Sequence, residues 1–456
     1  MRRQKSDDFC YGWTDGARGL SDDCPPSEHA MRSRRSQSVN LVPTDPVNQS
    51  TSRCKRIARW LWRRMTRFLR DMVRQYDIGS AFRPRSGSVP RIEFTVRVGS
   101  PLVLVCLLLF APVAQGVEIS SDGKVTFSLS TPEASKQVEL QAQWAKDHIP
   151  LTAVKPGQWG VTLEAVPPGV WEYHFVIDGV SVIDPTNPQI KPQRKPSHSI
   201  LHIPGTPPNA WDWRDVPHGT VHQQSYPSKV LGRRRDMLVY TPPGYEQAPD
   251  RKFPLLVLQH GSGDQHDTWV QHGKAHWILD NLIADGKAVP MMIVMIDGHP
   301  LGQVAREAKD SDKLDAMTAF ERELFEDALP LVEATYRVEA AAEKRALAGL
   351  SMGGAQTLGV GLTHADRFGW LGCFSGAMPA GDRMHKALDN KDSLNSRLKL
   401  FWIGCGEGDF LLEKNNELIA LLKEKGVTHE WHLTAGNHSW PVWRGYLTEF
   451  APRLFH

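Results

Sequence analysis

Two rhythms of apolar and polar residues divide this 456-residue chain. Between residues 117 and 204 the alternation has period two. Lys124-Val-Thr-Phe-Ser-Leu129, Gln137-Val-Glu-Leu-Gln141, Trp159-Gly-Val-Thr-Leu-Glu164 and Val170-Trp-Glu-Tyr-His-Phe-Val-Ile177 largely place their apolar side chains on one face of a strand. Lys155-Pro-Gly157, Pro167-Pro-Gly169 and Asp178-Gly179 supply the turns between them. Short strands set this close together predict a small all-β sandwich of immunoglobulin-like type. Its tryptophans Trp144, Trp159 and Trp171 either pack the sandwich or form a sugar platform. A Pro-rich linker at residues 205–211 ends this part.

From residue 212 to 456 the rhythm changes. Phe253-Pro-Leu-Leu-Val-Leu-Gln259 and Met291-Met-Ile-Val-Met-Ile296 are unbroken apolar runs, as strands buried on both faces require. Residues 235–240, 370–374, 398–403 and 428–433 read as further strands, while 315–336 and 413–425 have helical periodicity. Strands alternating with helices predict an α/β fold with a mostly parallel sheet.

Candidate chemistry centres on Arg345-Ala-Leu-Ala-Gly-Leu-Ser-Met-Gly-Gly-Ala-Gln356. An apolar strand runs straight into Gly-x-Ser-x-Gly and then into helix-compatible residues, the pattern of an α/β-hydrolase nucleophile elbow. Glycines two residues either side let the turn close, and the turn lifts the Ser351 hydroxyl clear of the sheet. In this fold an acid and then a histidine follow the serine, each on a loop after a later strand. Asp409 in Gly404-Cys-Gly-Glu-Gly-Asp409 and His438 in Ala435-Gly-Asn-His-Ser-Trp440 meet that order, with Glu407 as the other acid. An oxyanion hole needs the N–H of Met352 and one from the loop Gln259-His-Gly-Ser-Gly-Asp264, where Ser262 is preferred and Gly263 is second. Trp269, His299, Trp402 and Trp443 lie near these loops and either line a substrate pocket or pack ordinarily. His260, His266, His272 and His276 with Asp264 and Asp267 match no familiar ligand spacing, so neither metal nor cofactor is expected.

These segments resemble carbohydrate esterase family 1, the feruloyl and acetyl-xylan esterases, with enterochelin esterases and S-formylglutathione hydrolases as more distant relatives. The resemblance rests on Val239-Tyr-Thr-Pro-Pro-Gly-Tyr245, Leu258-Gln-His-Gly-Ser-Gly263 with Trp269, and Asp280-Asn-Leu-Ile-Ala284. It continues through Gly349-Leu-Ser-Met-Gly-Gly354, Asp409 and Gly436-Asn-His-Ser-Trp440 with Trp443. Gln259 departs from it, standing where a hydrophobic residue usually precedes His-Gly. The stretch Pro168–Val180 with Ile183-Asp-Pro-Thr-Asn-Pro188 resembles the early-set domains fused to such esterases. The resemblance implies an α/β-hydrolase preceded by a sandwich, and a Ser351, Asp409 and His438 triad acting on a carbohydrate ester. Siderophore-ester hydrolysis, acyl transfer to a sugar, and a carbohydrate-binding protein without activity are the other readings.

Charge separates the chain into unlike parts. Residues 1–116 carry 20 Lys+Arg against 10 Asp+Glu, whereas the rest carries 34 against 41 and is mildly acidic, which argues against a nucleic-acid partner. Overall, 41% hydrophobic and 23% charged residues fit a globular protein. Pro101-Leu-Val-Leu-Val-Cys-Leu-Leu-Leu-Phe-Ala-Pro-Val-Ala114, followed by Gln115-Gly116, is too short to span a membrane comfortably and reads as a signal peptide over residues 97–116. Secretion or a periplasmic location, no stable membrane anchor after cleavage, and a mature start near Val117 are the expectations. Residues 1–96 form a basic leader, disordered over 1–54, with an amphipathic basic stretch at 55–70 that either lies on an anionic membrane or precedes the true start. Cys373 and Cys405 are expected as small buried hydrophobes rather than a disulfide.

Overall fold

A computed structural model describes residues 116–302, 315–379 and 382–456. The leader and signal-peptide readings lie outside these residues, which all belong to one compact unit, Pro101–His456.

The period-two segments form two antiparallel sheets. Strands β1 (Gly116–Ile119), β2 (Val125–Ser130), β3 (Val138–Ala142), β4 (Ile149–Pro150), β5 (Thr152–Lys155), β6 (Gln158–Leu163), β7 (Gly169–Ile177), β8 (Val180–Val182) and β9 (Ser199–Ile203) share them. One sheet has the order β1-β2-β6-β5, the other β4-β3-β7-β8 with β9 also on β7. Alternate residues Val125, Phe127 and Leu129 meet Val138, Leu140, Tyr173 and Phe175 between the sheets. Phe127 lies edge-on to Tyr173, their ring centres 5.3 Å apart. Trp144, Trp159 and Trp171 are partly buried against this core, the packing alternative. Trp171 donates Nε1–H to the Pro167 carbonyl at 2.7 Å and Trp159 donates to Thr131 Oγ1 at 3.0 Å.

The later strands are β10 (Thr220–Ser228), β11 (Arg233–Thr241), β12 (Leu255–Gln259), β13 (Met292–Ile296), β14 (Arg345–Leu350), β15 (Trp370–Phe374), β16 (Leu400–Gly406) and β17 (Glu430–Thr434). They make one sheet in the order β10-β11-β13-β12-β14-β15-β16-β17. β10 and β11 join antiparallel; from β13 to β17 every pairing is parallel. The unbroken apolar runs have a simple cause: Leu255, Val257 and Leu347 pack on one face, Leu256, Leu258 and Ala348 on the other. Each fully buried Leu, Ile or Val contributes about 1.5–3 kcal/mol. Helices Leu329–Thr335 and Leu412–Lys425 cover the first face, Ala275–Ala284 and Trp440–Phe450 the second.

Three details depart from the sequence reading. β10 was not anticipated, because its polar edge-strand sequence is held by backbone pairing to β11. The helical stretch 315–336 is capped by Asp315, which accepts from the Met317 and Thr318 amides at 3.0 Å. It widens into a π-helical segment at Glu323–Ala328, where fully buried Glu323 accepts from Arg235 and Tyr226, both at 2.7 Å. Strand β16 runs on to Gly406, past the expected end at 403, because Gly406 pairs with Thr434.

His276, on helix Ala275–Ala284, carries a testable consequence. Burial, with the charges of Lys274 and His218, pushes its imidazole down to about 3, and its buried Nδ1 has no partner among the described residues. The unfolded chain binds this proton near the ordinary histidine value of 6.5, the folded protein only near 3. Stability is therefore expected to fall as pH drops below about 6.5, by about 2 kcal/mol at pH 5 from this group alone. Urea titrations at pH 7.5 and 5 should show a smaller acid loss in His276→Gln; an unchanged loss would remove His276 from the account.

Candidate active site

Parallel strands bring their carboxyl ends to one edge, and the candidate residues follow those ends. Along the sheet His299 follows β13, Ser262 follows β12, Ser351 follows β14, Asp409 follows β16 and His438 follows β17.

The turn at Ser351 is forced. Its φ of +52° and ψ of −112° are rare for a residue with a side chain. A Cβ on Gly349 would lie 2.6 Å from the Gly353 backbone, and one on Gly353 would lie 2.7 Å from the carbonyls of Gln259 and His260. Only glycine therefore lets strand, helix and the neighbouring loop approach so closely. The Ser351 amide donates to Phe374 O at 2.8 Å, which fixes the elbow against β15.

The acid and histidine loops meet through another glycine. A Cβ on Gly406 would stand 2.6 Å from Gly436 O; without one, Glu407 donates its amide to Thr434 O and Gly408 to Gly436 O, both at 2.8 Å. His438 Nδ1 then lies 3.0 Å from both carboxylate oxygens of Asp409, and its Nε2 lies 2.9 Å from Ser351 Oγ. Asp409 is buried, whereas Glu407 is exposed. Burial raises the Asp409 carboxyl, but hydrogen bonds from His438, the Leu411 amide and Ser375 outweigh it and hold the group below its ordinary value. A carboxylate so held fixes the imidazole with Nδ1–H toward it and Nε2 free to accept. A hydroxyl, imidazole and carboxylate in this order can take a proton from the oxygen and stabilise the imidazolium.

The loop after β12 passes beside the elbow, where a Cβ on Gly261 would lie 3.5 Å from Ser351 Cβ. His260 pins it: Nδ1 donates to Gly261 O at 2.8 Å, and Nε2 accepts the Gly298 amide at 2.9 Å. The Gly263 amide already donates to His299 Nε2 at 3.1 Å, which leaves the exposed Ser262 as the candidate donor of this turn. Burial, with the charge of His260, lowers His299 to about 4, which suits it to accept. Gln259, the departing residue, is fully buried, and its amide has no partner among the described residues.

Two pocket assignments are corrected. Trp402 is 1% exposed and stacks on His432, ring centres 4.6 Å apart, inside the core; Trp269, equally buried, donates Nε1–H to Gln259 O at 2.9 Å and packs on Trp440. Neither presents a face to a ligand, because the ring of each fills space between the sheet and its covering helices. Trp443 is buried too, but it lies edge-on to His438 at 4.9 Å and donates to Ser375 Oγ at 3.1 Å, so it backs the histidine. His299 instead accepts the Gly263 amide and so holds the turn after β12. Sequence reasoning missed Phe410, which is 75% exposed with its ring centre 4.3 Å from that of His438. An apolar residue directly after the acid of a glycine-rich loop was the available signal. Cys373 and Cys405 are buried free thiols.

Comparisons with known proteins agree with this architecture. Residues 228–454 match the Esterase family model, described as "Putative esterase". An endo-1,4-beta-xylanase/feruloyl esterase of Xylanibacter ruminicola is 30% identical over 350 residues, covering 74% of this chain and 45% of that protein. An uncharacterized Corynebacterium glutamicum protein is 27% identical over 236 residues, 46% of this chain and 54% of its own length. The chain thus spans about half the length of these two curated relatives. Among solved structures, the enterobactin esterase of Shigella flexneri shares the fold with a TM-score of 0.52 at 20% identity, covering 78% of this chain and 98% of that one. Residues 228–454 thus carry the match to the Esterase family model, on a fold shared with the enterobactin esterase.

Proposed function

We propose that this protein is a serine carbohydrate esterase that releases feruloyl groups from polysaccharide esters. The observation that carries the reaction is the alignment of Ser351, His438 and Asp409 at 2.9 and 3.0 Å. His438 takes the hydroxyl proton as Ser351 Oγ attacks the ester carbonyl, and the N–H groups of Met352 and Ser262 stabilise the oxyanion. The sugar alcohol leaves with the proton from His438. Water, deprotonated in turn by His438, then releases the acid and restores the serine.

Two observations support an aromatic acyl group over acetyl. The Xylanibacter relative carries feruloyl esterase in its name, and exposed Phe410 offers an aryl face beside His438. We also assign residues 117–204 to the early-set immunoglobulin-like class, a reading supported by the two antiparallel sheets and by a structural likeness reaching beyond residues 228–454. The pattern at 97–116 supports export, which the mass of the mature N-terminus tests.

Methyl ferulate, acetylated xylan, nitrophenyl acetate and a catechol siderophore offered side by side form the test. The highest kcat/KM is expected for methyl ferulate; turnover of the siderophore or acetylated xylan without the ferulate would overturn the substrate. Phe410→Ala should raise KM for methyl ferulate about 3–10-fold, the worth of one aromatic contact, and leave nitrophenyl acetate within about twofold.

A further inference from the structure

The segment between β8 and β9 does not stay within its own two sheets. At residues 191–194 it lies along the turn that carries Ser262. The Arg194 amide donates to Gly263 O at 2.8 Å, and Gln193 pairs antiparallel with Asp264. Gln265 Nε2 donates to Gln193 O, and Thr268 Oγ1 to Pro192 O, both at 2.7 Å. Gly263 is thus held on both sides, its amide by His299 and its carbonyl by Arg194.

The tether has a charged anchor. Buried Lys191 reaches Glu172 of β7 at 2.9 Å and Asp264 at 3.9 Å. Glu172 also meets His272 at 3.2 Å. On the other side of the site, helix Trp440–Phe450 starts two residues after His438 and carries Arg444, 1% exposed. Its guanidinium donates to Val170 O on β7 at 2.7 Å and to His272 O at 3.1 Å. Strand β7 therefore links the oxyanion turn to the helix behind the histidine. Buried ions are costly to hold apart from water, and their geometry is correspondingly strict.

We propose that the two-sheet unit is a working part of the acyl-transfer site: through Lys191 and residues 192–194 it sets the position of the oxyanion turn. Lys191 is a positioning residue that acts through the Ser262 amide, and the inference rests on the Ser351 reading above. An oxyanion donor acts chiefly on the transition state, so its displacement lowers kcat and leaves KM.

The test uses the full chain and nitrophenyl acetate. Lys191→Met should lower kcat about 10–100-fold with KM within about twofold, and Lys191→Arg should restore most of the loss. Gln265→Ala cuts the same tether without touching a charge, is expected to lower kcat several-fold, and decides the matter should Lys191→Met not fold. Ser262→Pro removes the proposed donor; in that background Lys191→Met should cost less than about threefold more, because both act on one group. Unchanged kcat in folded Lys191→Met or Gln265→Ala, full activity in Ser262→Pro, or losses that simply multiply would overturn the proposal. Activity surviving Ser351→Ala would instead remove the functional reading on which it stands.

Discussion

Ser351→Ala is expected to lower kcat for any ester about 10⁶-fold, the scale on which a serine hydrolase loses its nucleophile, while the protein stays folded. The substitution keeps the Cβ and removes only Oγ, whose partner among the described residues is His438 Nε2 at 2.9 Å. The elbow is held by other groups: the Ser351 amide on Phe374 O and the glycines at 349 and 353. Circular dichroism and melting temperature should therefore match the parent. Residual turnover should come from the oxyanion donors alone and should no longer be blocked by a fluorophosphonate. A variant that keeps even a tenth of its activity would mean that another nucleophile does the work. Ser351→Gly should be equally inactive and no less stable than Ser351→Ala, since glycine adopts a φ of +52° without strain.

Ser351 was legible because its constraint is local. The glycines at 349 and 353 are needed by atoms within a few residues or on the adjoining loop, so the motif carries its own geometry. Asp409 and His438 were legible for another reason. In a parallel sheet chain order determines which loops share an edge, and two polar residues after two later strands could be assigned by topology. Chain order favoured Asp409 with Glu407 as the fallback, and the choice between them has a structural reason. It turns on Gly406 and Gly408, which seat the acid loop against Gly436 so that Asp409 points inward.

The aromatic residues were harder because pocket walls and cores use the same side chains. Trp402 occupies β16, and its burial depends on Phe374 of β15 and on Tyr446 and Phe450 of helix Trp440–Phe450. Strand β10 escaped because its order comes from backbone pairing, which leaves little trace in an edge strand's polarity. The tether at 191–194 was invisible for the same reason. Its side-chain bonds, Gln265 to Gln193 O and Thr268 to Pro192 O, join groups 72 and 76 positions apart in the chain, and no local pattern announces them.

Asp409→Asn should lower kcat about 10⁴-fold, and it separates the two candidate acids. Asp409 accepts from His438 Nδ1 through both oxygens and also from the Leu411 amide at 2.8 Å. An asparagine satisfies Leu411 with its carbonyl and is left to present NH₂ to Nδ1. That nitrogen must then accept, so the proton moves to Nε2, which can no longer take one from Ser351. The loss should fall on kcat with KM little changed, because ground-state binding does not use the relay. Glu407→Gln, at an exposed position, should stay within about twofold of the parent. The reverse ranking would reassign the acid to Glu407 and require the loop between Gly406 and Asp409 to turn over during the reaction.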